Sequence, residues 1–294
     1  MSTTLTSTPV LGTLARREIR HYATSWLFLA GLALAAASTV QSFFTDDGTS
    51  STMTVIVPAA LLGVVGMIVM AGLVRRSDRA AAAAGAVAVP ERTRTLALAA
   101  AVVVPLAAAL AWFAAAMVML AVRPPSAAAV PFGPVSTAHV VAVMAALGVV
   151  PAIGGPLLGL VVTRWLPQRG VTAIAAVAVV LVTILLQGNF EATWRWHVVW
   201  PWVYWYGPLS WGSTGTGSTS WVALPGSPFA WIVYQLALCA LCVVVAMWHD
   251  AESDRSRLRP VLLATVAVAV VALVATMALG LPEAVHNPVS GLSF

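Results

Sequence analysis

Runs of about twenty apolar residues, each cut off by arginines or by Pro/Gly clusters, decide what this chain can fold into. Twenty residues of helix cross the ~30 Å hydrocarbon core of a bilayer. Only 9% of the 294 residues are charged, against about a quarter in an ordinary soluble domain. That is too little charge to cover a water-facing surface, so the chain reads as an all-α polytopic membrane protein. Cutting at the breaks predicts seven spans: 25–44, 53–74, 95–122, 137–163, 171–188, 229–248 and 260–281. Residues 1–15 are polar and Thr-rich with no hydrophobic centre, so no cleavable signal peptide is expected.

Arginine placement sets the expected orientation. With the N-terminus in the cytoplasm, Arg16, Arg17, Arg20, Arg75, Arg76, Arg79, Arg92, Arg94, Arg164, Arg169, Arg255, Arg257 and Arg259 fall inside. Only Arg123 and Arg195 fall outside, as the positive-inside rule requires. Asp46, Asp47 and the C-terminal tail are then external. Heavy use of Ala, Val and Arg points to a GC-rich, actinobacterial-like genome, and the whole to a multi-pass protein of a bacterial plasma membrane.

Three segments stand apart from the spans. In "VLGTLARREIRHYATSW", Leu11, Leu14, Ala15, Ile19 and Tyr22 share one helical face, and Arg16, Arg17 and Arg20 the other. This predicts an amphipathic helix lying in the interface. The alternative is an ordinary basic flank of the first span. Between the fifth and sixth spans lies a Trp-rich outer segment, 189–228; with Trp231 just beyond it, residues 189–231 hold eight of the twelve tryptophans. Trp196 and Trp200 have helical spacing, and Trp202 and Trp205 follow. Indoles favour the headgroup layer, so short helices at the outer face are expected, then a Gly/Ser/Thr loop at 212–220. They serve as an outer gate or simply as an anchor. Third, "RRSDRAAAAAGAVAVPERTRT", 75–95, links the second and third spans. Arg79 to Ala84 are strong helix formers, Ser77 or Asp78 can cap a helix start, and Gly85 and Pro90 end it. A short separate helix against the membrane face is expected.

Several chemistries are missing. Lysine is absent, so a phosphate-cradling P-loop cannot lie on this chain. No Asp, Glu or Arg sits well inside a span, which argues against ion coupling. Pro151, Gly154, Gly155 and Pro156 must distort the fourth helix, and broken-helix carbonyls there are the one place that could bind a cation. His21, His139, His197, His249 and His286 each lie alone at span ends. Cys239 and Cys242 lie in one apolar run and read as core thiols. Gly155 and Gly159 form a GxxxG, a match expected by chance in a chain so rich in Gly and Ala. No catalytic, metal or cofactor-binding residue is assigned.

The interfacial "ARREIR" helix, the Arg-rich loop that runs through small residues to Gly and "VPERTRT", and the long outer segment after the fifth span together resemble the ABC-2 family of ATP-binding-cassette exporter permeases. The resemblance covers roughly residues 10–250. It implies a six-helix permease core, 25–250, after a cytoplasmic N-terminus, 1–24. The loop after the second span would be the coupling helix, docked on a separate cytoplasmic ATPase through Arg75, Arg76, Asp78, Arg79, Glu91, Arg92 and Arg94. The helix bearing Arg16, Arg17, Glu18 and Arg20 would pack nearby. ATP and Mg would be held by that ATPase and none by this chain. A second permease copy or paralogue would complete the pathway, within membrane lipid and with no nucleic acid involved. The implied cargo is hydrophobic or amphiphilic: a drug, a lipid or a peptide natural product. The family has six spans with the C-terminus inside, whereas 251–294 adds a seventh and an external tail. The competing reading is a non-transporting scaffold or sensor that binds a partner protein or anionic lipid.

Overall fold

A computed structural model describes residues 7–45, 56–85, 89–122, 136–168, 170–189, 209–214, 218–223, 225–282 and 285–288. Helix α1, Ser7–Ala23, is followed after a two-residue break by α2, Trp26–Thr45. A π-helix, π1 (Ala59–Val64), leads into α3, Val65–Ala84. Then come α4 (Glu91–Ala100), α5 (Val103–Val122), α6 (Thr137–Met144), a second π-helix π2 (Ala145–Val149), α7 (Val150–Trp165) and α8 (Val171–Asn189). Strands β1 (Leu209–Thr214) and β2 (Ser218–Ala223) precede α9 (Pro228–Trp248) and α10 (Arg255–Ala278), and β3 (Val285–Pro288) is the last described element.

Among the described residues six helical segments are long and apolar enough to cross a membrane: Trp26–Phe44, Ala59–Ala84, Glu91–Met119, Thr137–Trp165, Pro228–Trp248 and Arg255–Ala278. The membrane body is therefore a helical bundle of a polytopic protein. The segment expected as a fifth span is helical over its whole length in α8, with its apolar described side chains in Val171–Val182. The most apolar eighteen-residue stretch of Thr137–Trp165 is 78% buried inside the bundle, whereas those of Trp26–Phe44 and Arg255–Ala278 are each only 17% buried. The fourth span is thus the central post, and the first and last present most of their apolar surface outward.

The post is held by close backbone approach. A Cβ on Gly63 of π1 would lie 2.6 Å from the Pro151 carbonyl oxygen, and one on Gly155 or Gly159 of α7 would run into the backbone of Gly63 or Met67. Distances that short cannot be accommodated, so only glycine permits this crossing. Gly155 and Gly159 are therefore no chance match: they are the contact of α7 on π1 and α3. The distortion expected at Pro151–Pro156 appears just upstream, as π2. Pro151 has no N–H for the Leu147 carbonyl, so the ladder relaxes to the wider π spacing. The expected third span is likewise interrupted by a turn at Ala101–Val102 between α4 and α5, because Pro105 cannot donate back to Ala101.

Among the described residues two apolar clusters fill the bundle. One gathers Trp112, Val143, Met144, Leu147 and Trp231 toward the strand end. The other gathers Tyr22, Leu62, Met70, Leu98 and Leu160 toward the arginine end. Outside the helical body, β1, β2 and β3 form an antiparallel sheet in that order, with Trp211 opposite Trp221 and Val222 opposite His286. Residues 212–214 and 218–220, expected as part of a loop, are thus strand. Thr and Trp occur in both β1 and β2 and favour extended backbone. Residues 285–288 of the C-terminal tail are the part in this sheet.

Candidate functional site

The chemistry of the described residues concentrates at the arginine end. Nothing in Val65–Ala84 breaks a helix, so α3 runs on through Arg75–Ala84 and stops only at Gly85, whose φ of +57° suits glycine. Residues 79–84 are therefore the tip of the second span. This corrects the expectation of a separate short helix. Ser77 and Asp78 lie within α3 and cap nothing.

Asp78 instead is the hub of an ion-pair network. Its Oδ1 accepts from Arg94 Nη1 at 2.7 Å and from Arg164 Nη1 at 2.5 Å, which ties α3 to α4 and α7. The Arg164 side chain is only 3% exposed, whereas that of Asp78 is 43% exposed. Burying a guanidinium costs several kcal/mol unless it is paired, so Asp78 and the Glu91 carboxylate, 3.8 Å from Arg164 Nε, are what allow Arg164 to sit there. Among the described residues Arg164 Nη2 has no hydrogen-bond partner.

A second layer ties in the C-terminal end of α9. Glu91 faces His249 Nδ1 at 2.7 Å, and Asp250 Oδ2 accepts from the Arg92 backbone N–H at 2.8 Å. That N–H is one of the orphan donors of the α4 N-terminus, where a carboxylate is favoured by the helix dipole as well. Trp165 Nε1 donates to the Val245 carbonyl at 3.2 Å, and its ring meets His249 edge-on at 5.3 Å. Asp254 caps α10 by accepting from the Ser256 and Arg257 N–H groups. The Ser256 hydroxyl is the main cause of its carboxyl lying below the usual range.

Helix α1 is clamped on from the side. Glu18, nearly buried, accepts from Arg76 Nη2 at 2.6 Å. Tyr22 is fully buried and stacks edge-on against Phe28 at 5.2 Å. A Cβ on Gly66 would lie 2.8 Å from the Tyr22 hydroxyl and 2.7 Å from Pro156 Cγ, so Tyr22 wedges against the α3–α7 crossing itself. Partial burial, then the Arg76 charge, pulls His21 below its ordinary pKa, which leaves Arg16, Arg17 and Arg20 as the exposed cations of α1. Between α1, α3 and α4 a cleft of about 160 Å³ is lined by Leu14, Arg17, Glu18, Arg76, Ala81 and Arg94, among others. Replacing Glu18 with Gln is expected to loosen α1 by about 1 kcal/mol, read as a roughly fivefold loss of amide-exchange protection in residues 18–23.

The residues singled out for partner contact thus divide. Arg76, Asp78, Glu91 and Arg94 are spent on internal pairs, and Arg75 reaches Thr172 at 3.5 Å. Arg79, Arg92, Arg16, Arg17 and Arg20 are exposed. Glu18 turns away from them to the buried side. Arg164, His249 and Asp250 have no assigned site role in the sequence, Tyr22 is placed there only on the apolar face of the interfacial helix, and His249, which reads there as solitary, has two neighbours. The available signal was opposite charge at the same predicted end of different spans. Trp196, Trp200, Trp202 and Trp205 lie outside the described residues, as do Arg123, Arg169 and Arg195. Cys239 and Cys242 are buried free thiols. The chain matches no family model, no curated protein and no solved structure.

Proposed function

We propose that the chain is the transmembrane permease subunit of an ATP-binding-cassette exporter, moving a hydrophobic or amphiphilic cargo with ATP hydrolysed on a separate subunit. The carrying observation is the shape of the second span. It leaves the bundle as unbroken helix, its tip at Arg79 and Ala82–Ala84 is exposed, and its base is pinned through Asp78 to Arg164 on the most buried span. A push on that tip bears directly on the central post, as a rigid-body two-state mechanism requires. The small side chains of the tip allow a partner surface to approach closely.

The arginine end is taken as cytoplasmic by the positive-inside rule. Helices α7 and α9 both finish at that end, joined by Trp165 and Val245, so the chain must return between them. Helix α8, 19 residues or about 28 Å long, is the element that can do so. With α8 taken as that return, the reading has seven crossings and an external C-terminus in a bacterial plasma membrane. A second copy of the chain, or a paralogue, is taken to complete the pathway.

Charge reversal of Arg79 and Arg92, which are exposed and outside the ion-pair network, tests the reading. The double variant should insert with its melting temperature almost unchanged, lose the associated ATPase on mild-detergent purification, and lose transport at least tenfold. Retention of both would overturn the assignment. Arg76 is unsuitable for this test, because its reversal also breaks the Glu18 pair.

A further inference from the structure

We propose that the cleft between α1, α3 and α4 binds the phosphate headgroup of an anionic lipid in the leaflet at the arginine end. The inference does not depend on the transport reading. Three guanidinium groups line the cleft, from Arg17, Arg76 and Arg94, against one carboxylate, Glu18. Glu18 is neutralised by Arg76 at 2.6 Å, and Arg94 by Asp78 at 2.7 Å. Arg17 has no acidic partner among the described residues, so the cleft carries an uncompensated positive charge. Donors remain as well. A guanidinium offers five N–H groups. Arg76 commits Nη2 to Glu18, and Arg94 commits Nη1 to Asp78 and Nε to the Val89 carbonyl.

The rest of the wall is apolar, from Leu14, Ala81, Ala84, Val89 and Ala97. An inorganic anion gains nothing from such a wall, whereas the glycerol and first methylenes of a lipid do. The level is right. Arg76 is where the apolar run of α3 meets water, and Ala97 lies at the start of the apolar run of α4, three residues after Arg94. Trp26 and Trp165 are exposed at the same end, as expected of the headgroup layer. The cleft face of α3, residues 77, 80, 81 and 84, shares only Ala84 with the exposed tip at 79 and 82–84, so a lipid and a protein partner can be held together.

The test measures binding to the purified full chain by the shift in melting temperature and by native mass spectrometry. The probes are dioctanoyl phosphatidylglycerol, dioctanoyl phosphatidylcholine and inorganic phosphate. Phosphatidylglycerol should bind saturably and raise the melting temperature, with the other two far weaker. Arg17→Gln should weaken phosphatidylglycerol binding about fivefold, the effect of one basic residue at a membrane surface. Ala81→Phe, which fills the cleft without touching charge, should abolish saturable binding. Arg259→Gln, an exposed arginine at the start of α10 remote from the cleft, should change nothing. Equal weakening by Arg259→Gln, equal binding of phosphatidylcholine, or full replacement by inorganic phosphate would each overturn the proposal. So would unaltered binding in Arg17→Gln together with Ala81→Phe.

Discussion

Replacing Asp78 with alanine should destabilise the protein by about 3 kcal/mol, far more than removal of the buried arginine it holds. The asymmetry follows from burial. Arg164 is 3% exposed and cannot recover water when Asp78 is lost, and an orphaned buried charge costs about 3–5 kcal/mol. The low end applies because Glu91 remains 3.8 Å away. Arg164→Met leaves Asp78 half-exposed and still paired with Arg94 at 2.7 Å, so its cost should stay near 1 kcal/mol. The double variant Asp78→Ala, Arg164→Met should recover most of the single Asp78 loss. Thermal melting in detergent reads all three, with Asp78→Ala lower by roughly 6–12 °C. A double variant no better than Asp78→Ala alone would show that the Arg164 charge is not what Asp78 supports.

The second large effect lies at the helix crossing. Gly155→Ala places a Cβ against the Gly63 backbone, and Gly159→Ala does the same against Met67. No flexible side chain is available to give way, so α7 must move off π1 and α3, at a cost at or above the ~1–3 kcal/mol usual for overpacking. A larger residue at Gly155 should prevent recovery of folded protein. Gly72 provides the internal control: it lies on α3, and a methyl group added there would meet nothing within 4 Å. Gly72→Ala should therefore be neutral or slightly stabilising through helix propensity. Equal losses at Gly72 and Gly155 would rule out the close crossing.

The membrane body was legible because apolar runs of bilayer length admit few alternatives. The sixth span was expected at 229–248 and α9 occupies Pro228–Trp248, while the fourth was expected at 137–163 and its helix ends at Trp165. The helix ends were harder. An apolar run stops at Arg75, but a helix stops where a residue breaks it, and the first such residue is Gly85. The glycine crossing was hidden because GxxxG has no meaning until its partner backbone is known, and Gly63 is far from Gly155 along the chain. The ion-pair network was hidden for the same reason: Asp78 and Arg164 are 86 residues apart. Charge sign and predicted end could only have suggested that they meet.

The most direct test of the central claim is site-specific photocrosslinking from position 82, on the exposed tip of α3, in intact membranes. The crosslinked partner should be a soluble protein carrying a GxxxxGK[ST] motif. Its ATP hydrolysis should rise on association with this chain and lose that response when Arg79 is reversed. Crosslinks only to other copies of this chain, or labelling of position 82 from the extracytoplasmic side, would contradict a permease moved by a partner's ATP.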